Sequence, residues 1–126
     1  MALHGFSTRA ASALFLALTL GASGALAHHG WSGYTDDDFS LTGVVEEIEL
    51  GNPHGHLMVR ADGGVWNVVL APPARNRRAG VTDGVIEIGD TVTAYGHRHR
   101  DPDRLEMKTE RLEVGDQVYD IYPNRR

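Results

Sequence analysis

Between Ser40 and Tyr122 the chain is cut into short pieces by glycine-bearing turn signals. They are Gly51-Asn52-Pro53, Asp62-Gly63-Gly64, Gly80, Gly89-Asp90 and Gly115-Asp116. Between them, apolar residues recur every second position, the period of a half-buried strand. A chain cut this way has no room for long packed helices. Its apolar residues must meet across short antiparallel strands, as in a small barrel or sandwich.

The pieces follow in a definite order. Ser40–Leu50 alternates, with Thr42, Val44, Ile48 and Leu50 read as the inner face. A second strand is expected from His54 to Ala61. It sets His54, His56, Met58 and Arg60 on one side and Leu57 and Val59 on the other. Asp62-Gly63-Gly64 is a hairpin turn. It leads into Val65–Leu70, with Trp66, Val68 and Leu70 facing inward. Pro72–Gly80 reads as a short helix, with prolines at its start, arginines in its last turn and glycine at its stop. Its arginines read as a solvated face. Val81–Ile88 is a loop with apolar anchors, and Thr91–Gly96 is a fourth strand. His97–Arg104 is a polar loop, and Leu105–Val114 is a fifth strand whose imperfect alternation signals a bulge. Gln117–Tyr122 closes a last hairpin. Three strands, a short helix and two closing strands match the order of an OB-fold. The predicted fold is therefore an all-β, OB-fold-like five-stranded barrel. It has a short helix between strands 3 and 4 and an extra C-terminal hairpin, with a β-sandwich as the alternative. The loops an OB-fold offers to ligands would be Gly51–Gly55 and His97–Arg104.

The first 27 residues have the three parts of a secretory signal. His4 and Arg9 are weakly basic, Ala10–Leu20 is apolar, and Gly21–Ala27 is a small-residue end with Ala at −3 and −1 of a cut after Ala27. The apolar run is shorter than the roughly 20 residues of a membrane span. The expected organisation is a cleaved signal peptide (1–27), an irregular arm (28–38) and a barrel domain (39–126). The expected location is the periplasm or the exterior, without stable membrane insertion. The arm could reach roughly 35 Å if extended, far enough to fold back over a small domain.

Composition narrows the function. Of 12 basic and 17 acidic residues, cleavage removes Arg9 and no acid, which leaves a net charge of −6. That argues against nucleic acid as a partner, since such binding runs on Lys and Arg against phosphate. There is no cysteine, so no disulfide, iron–sulfur cluster or thiolate metal site can form. No nucleotide fingerprint or Ser-His-Asp set is present.

Six of the seven histidines remain after the cut, in three close pairs: His28/His29, His54/His56 and His97/His99. Cleavage would free the amino group of His28, which can then hold a metal through its amine and its ring Nδ1 together. Adding a further imidazole gives the nitrogen-rich set that favours Cu(II). His54 and His97 are the first choices for it, and His29 and His56 the second. Met58 extends the His54/His56 face with a soft thioether. Zinc is the competing metal, since three histidines and an open position form a catalytic zinc pattern. No carboxylate is placed by spacing to serve as base. The reading is therefore a monomeric metal-handling protein and not an enzyme, with the metal ion, and another exported protein, as partners. The alternative is a metal-free OB-type module that binds a ligand or a protein, with Trp31 as its exposed contact and Trp66 in the core.

Several motifs also resemble a known group. They are His28-His29-Gly30-Trp31 with Tyr34, Gly51-Asn52-Pro53-His54, Trp66-Asn67-Val68, Leu70-Ala71-Pro72-Pro73, Gly89-Asp90-Thr91-Val92 and Gly96-His97-Arg98. In order and spacing these are similar to the small exported bacterial proteins of the DUF6152 family. The resemblance covers the whole mature chain. It implies export and a small β domain, and no established activity. It carries His28, the Asn52-Pro53-His54 turn and the Gly96-His97 pair. Where the family has proline after that pair, this chain has Arg98 and then His99, so His99 stays outside the site set.

Overall fold

The computed structural model describes residues 30–125. The expected signal segment, His28 and His29 lie outside the described residues.

Among the described residues six strands form: β1 (Phe39–Glu49), β2 (His56–Ala61), β3 (Gly64–Val69), β4 (Thr91–Arg98), β5 (Glu106–Val114) and β6 (Gln117–Asp120). One short helix, α1 (Pro73–Arg78), lies between β3 and β4, and a 3-10 turn, Pro123–Arg125, follows β6. The sheet order is β3-β2-β1-β4-β5-β6, and an additional parallel pairing of β3 with β5 closes the sheet on itself. Five strands thus form a ring, and β6 hangs from β5 outside it. This is the expected OB-like barrel with its extra hairpin. Closure leaves no free edge within the ring, which removes the pairing hazard of an open sheet.

The barrel is filled by Leu41, Val45, Leu57, Val59, Trp66, Val68, Leu70, Met107 and Leu112, and Val81, Ile86 and Ile121 belong to the same buried cluster. Trp66, Val68 and Leu70 point inward as the alternation of β3 requires, and Trp66 stacks on Phe39 with ring centres 5.3 Å apart. Full burial of each such side chain contributes about 1.5–3 kcal/mol, and this apolar filling holds together a chain with no disulfide.

Two bulges set which side chains face out. In β1, Val45 pairs with Val59 and Glu47 with Met58, so Glu46 is the extra residue. The simple alternation over Ser40–Leu50 is corrected here. Leu41 and Val45 are buried and Val44 is exposed, while Ile48, beyond the bulge, packs against the core. One inserted residue changes the face of everything before it. In β5 the expected bulge is present. Tyr95 pairs with Arg111 and Gly96 with Thr109, which leaves Glu110 as the extra residue.

Candidate functional site on the outer face of the barrel

Among the described residues, His56 and His97 lie on the outer face of β2, β3, β5 and β4. Cross-strand partners share a face, and two rows follow from the register. One row runs His56, Val69, Lys108, His97. The next runs Met58, Asn67, Glu106. The N-terminal arm lies at the end of these rows. Tyr34 bridges to His99, the Thr35 amide donates to the Arg98 carbonyl at 2.8 Å, and the Arg100 amide donates to Gly33 at 2.9 Å. Length alone allowed the arm to fold back. Pairing with the end of β4 is what returns it.

Trp31 anchors the arm. Its ring stands edge-on to Tyr122 at 5.2 Å and to His97 at 5.8 Å. The Arg125 guanidinium sits 4.0 Å from the ring centre and the Lys108 ammonium 5.7 Å from it. Lys108 is 3% exposed. Burial pushes its amine below the usual lysine range, and the Glu106 carboxylate recovers only part of that shift.

The sequence pattern sets His97 in a loop. It is instead the seventh residue of β4 and is 9% exposed. Its Nδ1 is 3.0 Å from the Asp37 carbonyl, and its Nε2 is 3.0 Å from Glu110 Oε1, which Arg125 also reaches. The bulge that makes Glu110 the extra residue of β5 accompanies this contact. Both ring nitrogens of His97 therefore already face oxygen atoms of the chain in this arrangement.

His99 accepts the Asp101 amide on Nδ1 and stands edge-on to Tyr34 at 5.5 Å.

His54 and His56 differ from these. His54 sits just before β2, in the turn after the cis Asn52-Pro53 bond and not in the strand as expected. Its imidazole is held below the usual histidine range, first by burial, then by the Lys108 cation, then by His56. It is therefore neutral at pH 7 and near both groups. His56 Nδ1 is 2.8 Å from Asn67 Oδ1. His56 and Met58 line a surface groove of about 490 Å³ with Glu47, Ile48, Glu49 and Asn67.

A chain of polar contacts connects this pair to the arm. Asn67 Nδ2 donates to Glu106 Oε2 at 3.2 Å, Arg104 donates to the same oxygen at 2.8 Å, and the Tyr34 hydroxyl donates to Glu106 Oε1 at 2.7 Å. Burial pushes the Glu106 carboxyl up. The Tyr34, Arg104 and Asn67 contacts together outweigh it and hold the group below the usual carboxylate range. The Tyr34 phenol is raised well above its ordinary value by burial and then by Glu106. A tyrosine that ionises more readily unfolded than folded stabilises below pH 10 and loses that contribution as pH rises above it. Stability should therefore fall more steeply between pH 10 and 11 in the parent protein than in Tyr34→Phe. Urea midpoints at successive pH values check this, and equal slopes would show that the Tyr34–Glu106 contact contributes nothing.

Neither Asn67, Glu106 nor Lys108 stands out in the sequence. The available signal is a single polar residue inside Val65-Trp66-Asn67-Val68-Val69-Leu70 and a lysine in β5. Among the described residues, no group of three or more His, Asp or Glu side chains is placed to hold a metal ion. No helix among them is long and apolar enough to cross a membrane.

A five-stranded ring of this strand order defines an OB-like barrel. Among solved structures the chain is similar to a ZRD-deleted mutant of TiaS in complex with agmatine, with a TM-score of 0.52 and 19% identity over 71% of this chain and 27% of that one. It is also similar to the S. pombe Stn1–Ten1 complex, with a TM-score of 0.49 and 18% identity over 64% of this chain and 59% of that one. A third is apo TiaS, a tRNA agmatidine synthetase, with a TM-score of 0.46 and 19% identity over 61% of this chain and 18% of that one. At these identities the likeness is one of fold. The chain belongs to the DUF6152 family, a family of unknown function, which it matches over residues 17–110. Among curated proteins nothing matches it.

Proposed function

We propose that this protein is exported, is cleaved after Ala27, and binds copper for handling and not for catalysis. The ligands in this reading are the amine and ring Nδ1 of His28, with the imidazoles of His54 and His56. His29 is a further candidate. His97 is set aside, because Asp37 and Glu110 occupy both of its ring nitrogens.

The observation that carries the reading is the return of the arm to the histidine face. Trp31 packs over Lys108, and Lys108 lies close enough to His54 to lower its basicity. His28 precedes Trp31 by three residues, a span of up to about 10 Å. In this reading a free amino terminus at His28 would extend over that span to the His54/His56 pair. The opposing term is the positive charge of Lys108 beside the proposed metal; burial lowers the basicity of that amine.

The test is copper titration of protein starting at His28 against protein with one added residue before it. The extended form should bind about a hundredfold more weakly, about 2.7 kcal/mol, because an amide replaces the chelating amine. Equal affinities would eliminate the amine and leave at most a His54/His56 site. Binding no tighter than that of an unfolded histidine-containing peptide would favour a metal-free binding module. Zinc competition in the same titration separates the two metals.

A further inference from the structure

The ligating nitrogen of His56, and the residues that select it, follow from the contacts around Asn67. Glu106 receives hydrogen bonds from Tyr34, Arg104 and Asn67. Its carboxyl is held below the ordinary range, so it is ionised at neutral pH and can only accept. An acceptor-only carboxylate settles the orientation of the Asn67 amide: the NH2 must face Glu106, and Oδ1 must face the other way. That oxygen meets His56 Nδ1 at 2.8 Å. A carbonyl oxygen cannot donate, so the proton must lie on Nδ1. In the neutral ring the lone pair then lies on Nε2.

We propose that Tyr34, Glu106 and Asn67 form a positioning chain that locks His56 in its Nδ1–H tautomer and makes Nε2 its metal-binding nitrogen. The proposal rests on the copper reading for the identity of the ligand, and the tautomer itself does not depend on it. Histidine ligands are commonly oriented by a partner on the second ring nitrogen, and loss of that partner typically costs 10- to 100-fold in metal affinity.

The chain starts on the arm. Tyr34 is three residues beyond Trp31, and its hydroxyl supplies one of the three hydrogen bonds to Glu106. Docking of the arm and orientation of His56 therefore support one another. A chain with an undocked arm would lose both the proposed terminal ligand and part of the anchor that aligns the second. Copper binding and arm docking should then be coupled.

The experiment reads the ring nitrogens of His56 by 15N NMR in metal-free protein at pH 8, where the tautomer is visible without any metal. The parent should show His56 as the Nδ1–H form. A predominant Nε2–H form, or the mixture of a free imidazole, would overturn the proposal whether or not copper binds. Asn67→Leu should release the lock, shift the ring towards the free-imidazole mixture and weaken copper binding 10- to 100-fold. An unchanged tautomer in Asn67→Leu would remove Asn67 from this role, and the parent spectrum alone decides the assignment if that variant does not fold. A locked tautomer without copper binding would leave the positioning chain standing and remove the metal reading.

Discussion

Gly96→Ala should remove a large share of the stability of the fold, about 3 kcal/mol or more. Gly96 lies opposite Thr109 where β4 meets the bulge of β5. A Cβ there would run into the Lys108 carbonyl oxygen and would stand 3.0 Å from Thr109 Cα. These are main-chain atoms of a barrel strand, so no side-chain rotation relieves the clash. Relief requires β4 and β5 to separate, and β5 is also the strand that closes the ring against β3. Domains of this size are stable by only about 5–15 kcal/mol, so such a loss should be visible as a large fall in the urea midpoint. A change below about 1 kcal/mol would show that the two backbones are not in close approach. The same approach sets His97 beside Lys108. Glycine at this position is thus a condition for the histidine face as well as for the barrel.

Asn76→Ala should destabilise by about 2–4 kcal/mol, through an unpaired buried amide and the small cavity left behind. Asn76 is 1% exposed on α1. Its Oδ1 accepts the Ala71 amide at 3.0 Å and its Nδ2 donates to the Ala71 carbonyl at 2.6 Å. The Ala71 carbonyl also accepts the Gly55 amide at 2.9 Å. One side chain thereby ties the helix to the end of β3 and to the turn that carries His54. Asn76→Asp is the informative second variant. It keeps the acceptor for the Ala71 amide and sets a carboxylate oxygen against the Ala71 carbonyl, a repulsion relieved when the acid is protonated. Its deficit relative to the parent should therefore shrink as pH falls from neutrality towards the ordinary Asp value of about 4. A deficit independent of pH would mean that the second contact has no weight. Urea denaturation at pH 7 and pH 4 separates these outcomes.

The helix illustrates how far the sequence is legible. Prolines at the start, arginines in the last turn and Gly80 at the stop bracket the observed span of α1 closely. The pattern does not single out Asn76, because asparagine in a short polar helix carries no mark of burial. Its partner, the backbone of Ala71, is recognisable only once the chain has folded. β1 makes the complementary point. Its existence is plain in the sequence, yet alternation misplaces the faces of its first half, because the extra residue at Glu46 leaves no trace in a local pattern. β5 does show the irregularity of its own bulge.

The histidines divide in the same way. Composition and spacing single out three pairs, and two of them lie on one outer face with the arm returned to it. Spacing cannot distinguish a buried ring held by Asp37 and Glu110 from one with a free lone pair. His97 and His56 are alike in sequence, each flanked by a glycine and a second histidine two residues away. They differ only in what crosses over them.

Taken alone, the sequence determined the class of fold, its order of strands and helix, the absence of any thiol chemistry, and the set of candidate ligands. These follow from periodicity, turn chemistry and side-chain type, which are local properties of the chain. The tertiary structure decided the closure of β3 against β5, the return of the arm along β4, and the line of contacts from Tyr34 through Glu106 and Asn67 to His56. Each of these joins residues far apart in sequence. The direction of a hydrogen bond, and with it the nitrogen of His56 that is left free, depends on which donors and acceptors meet in space.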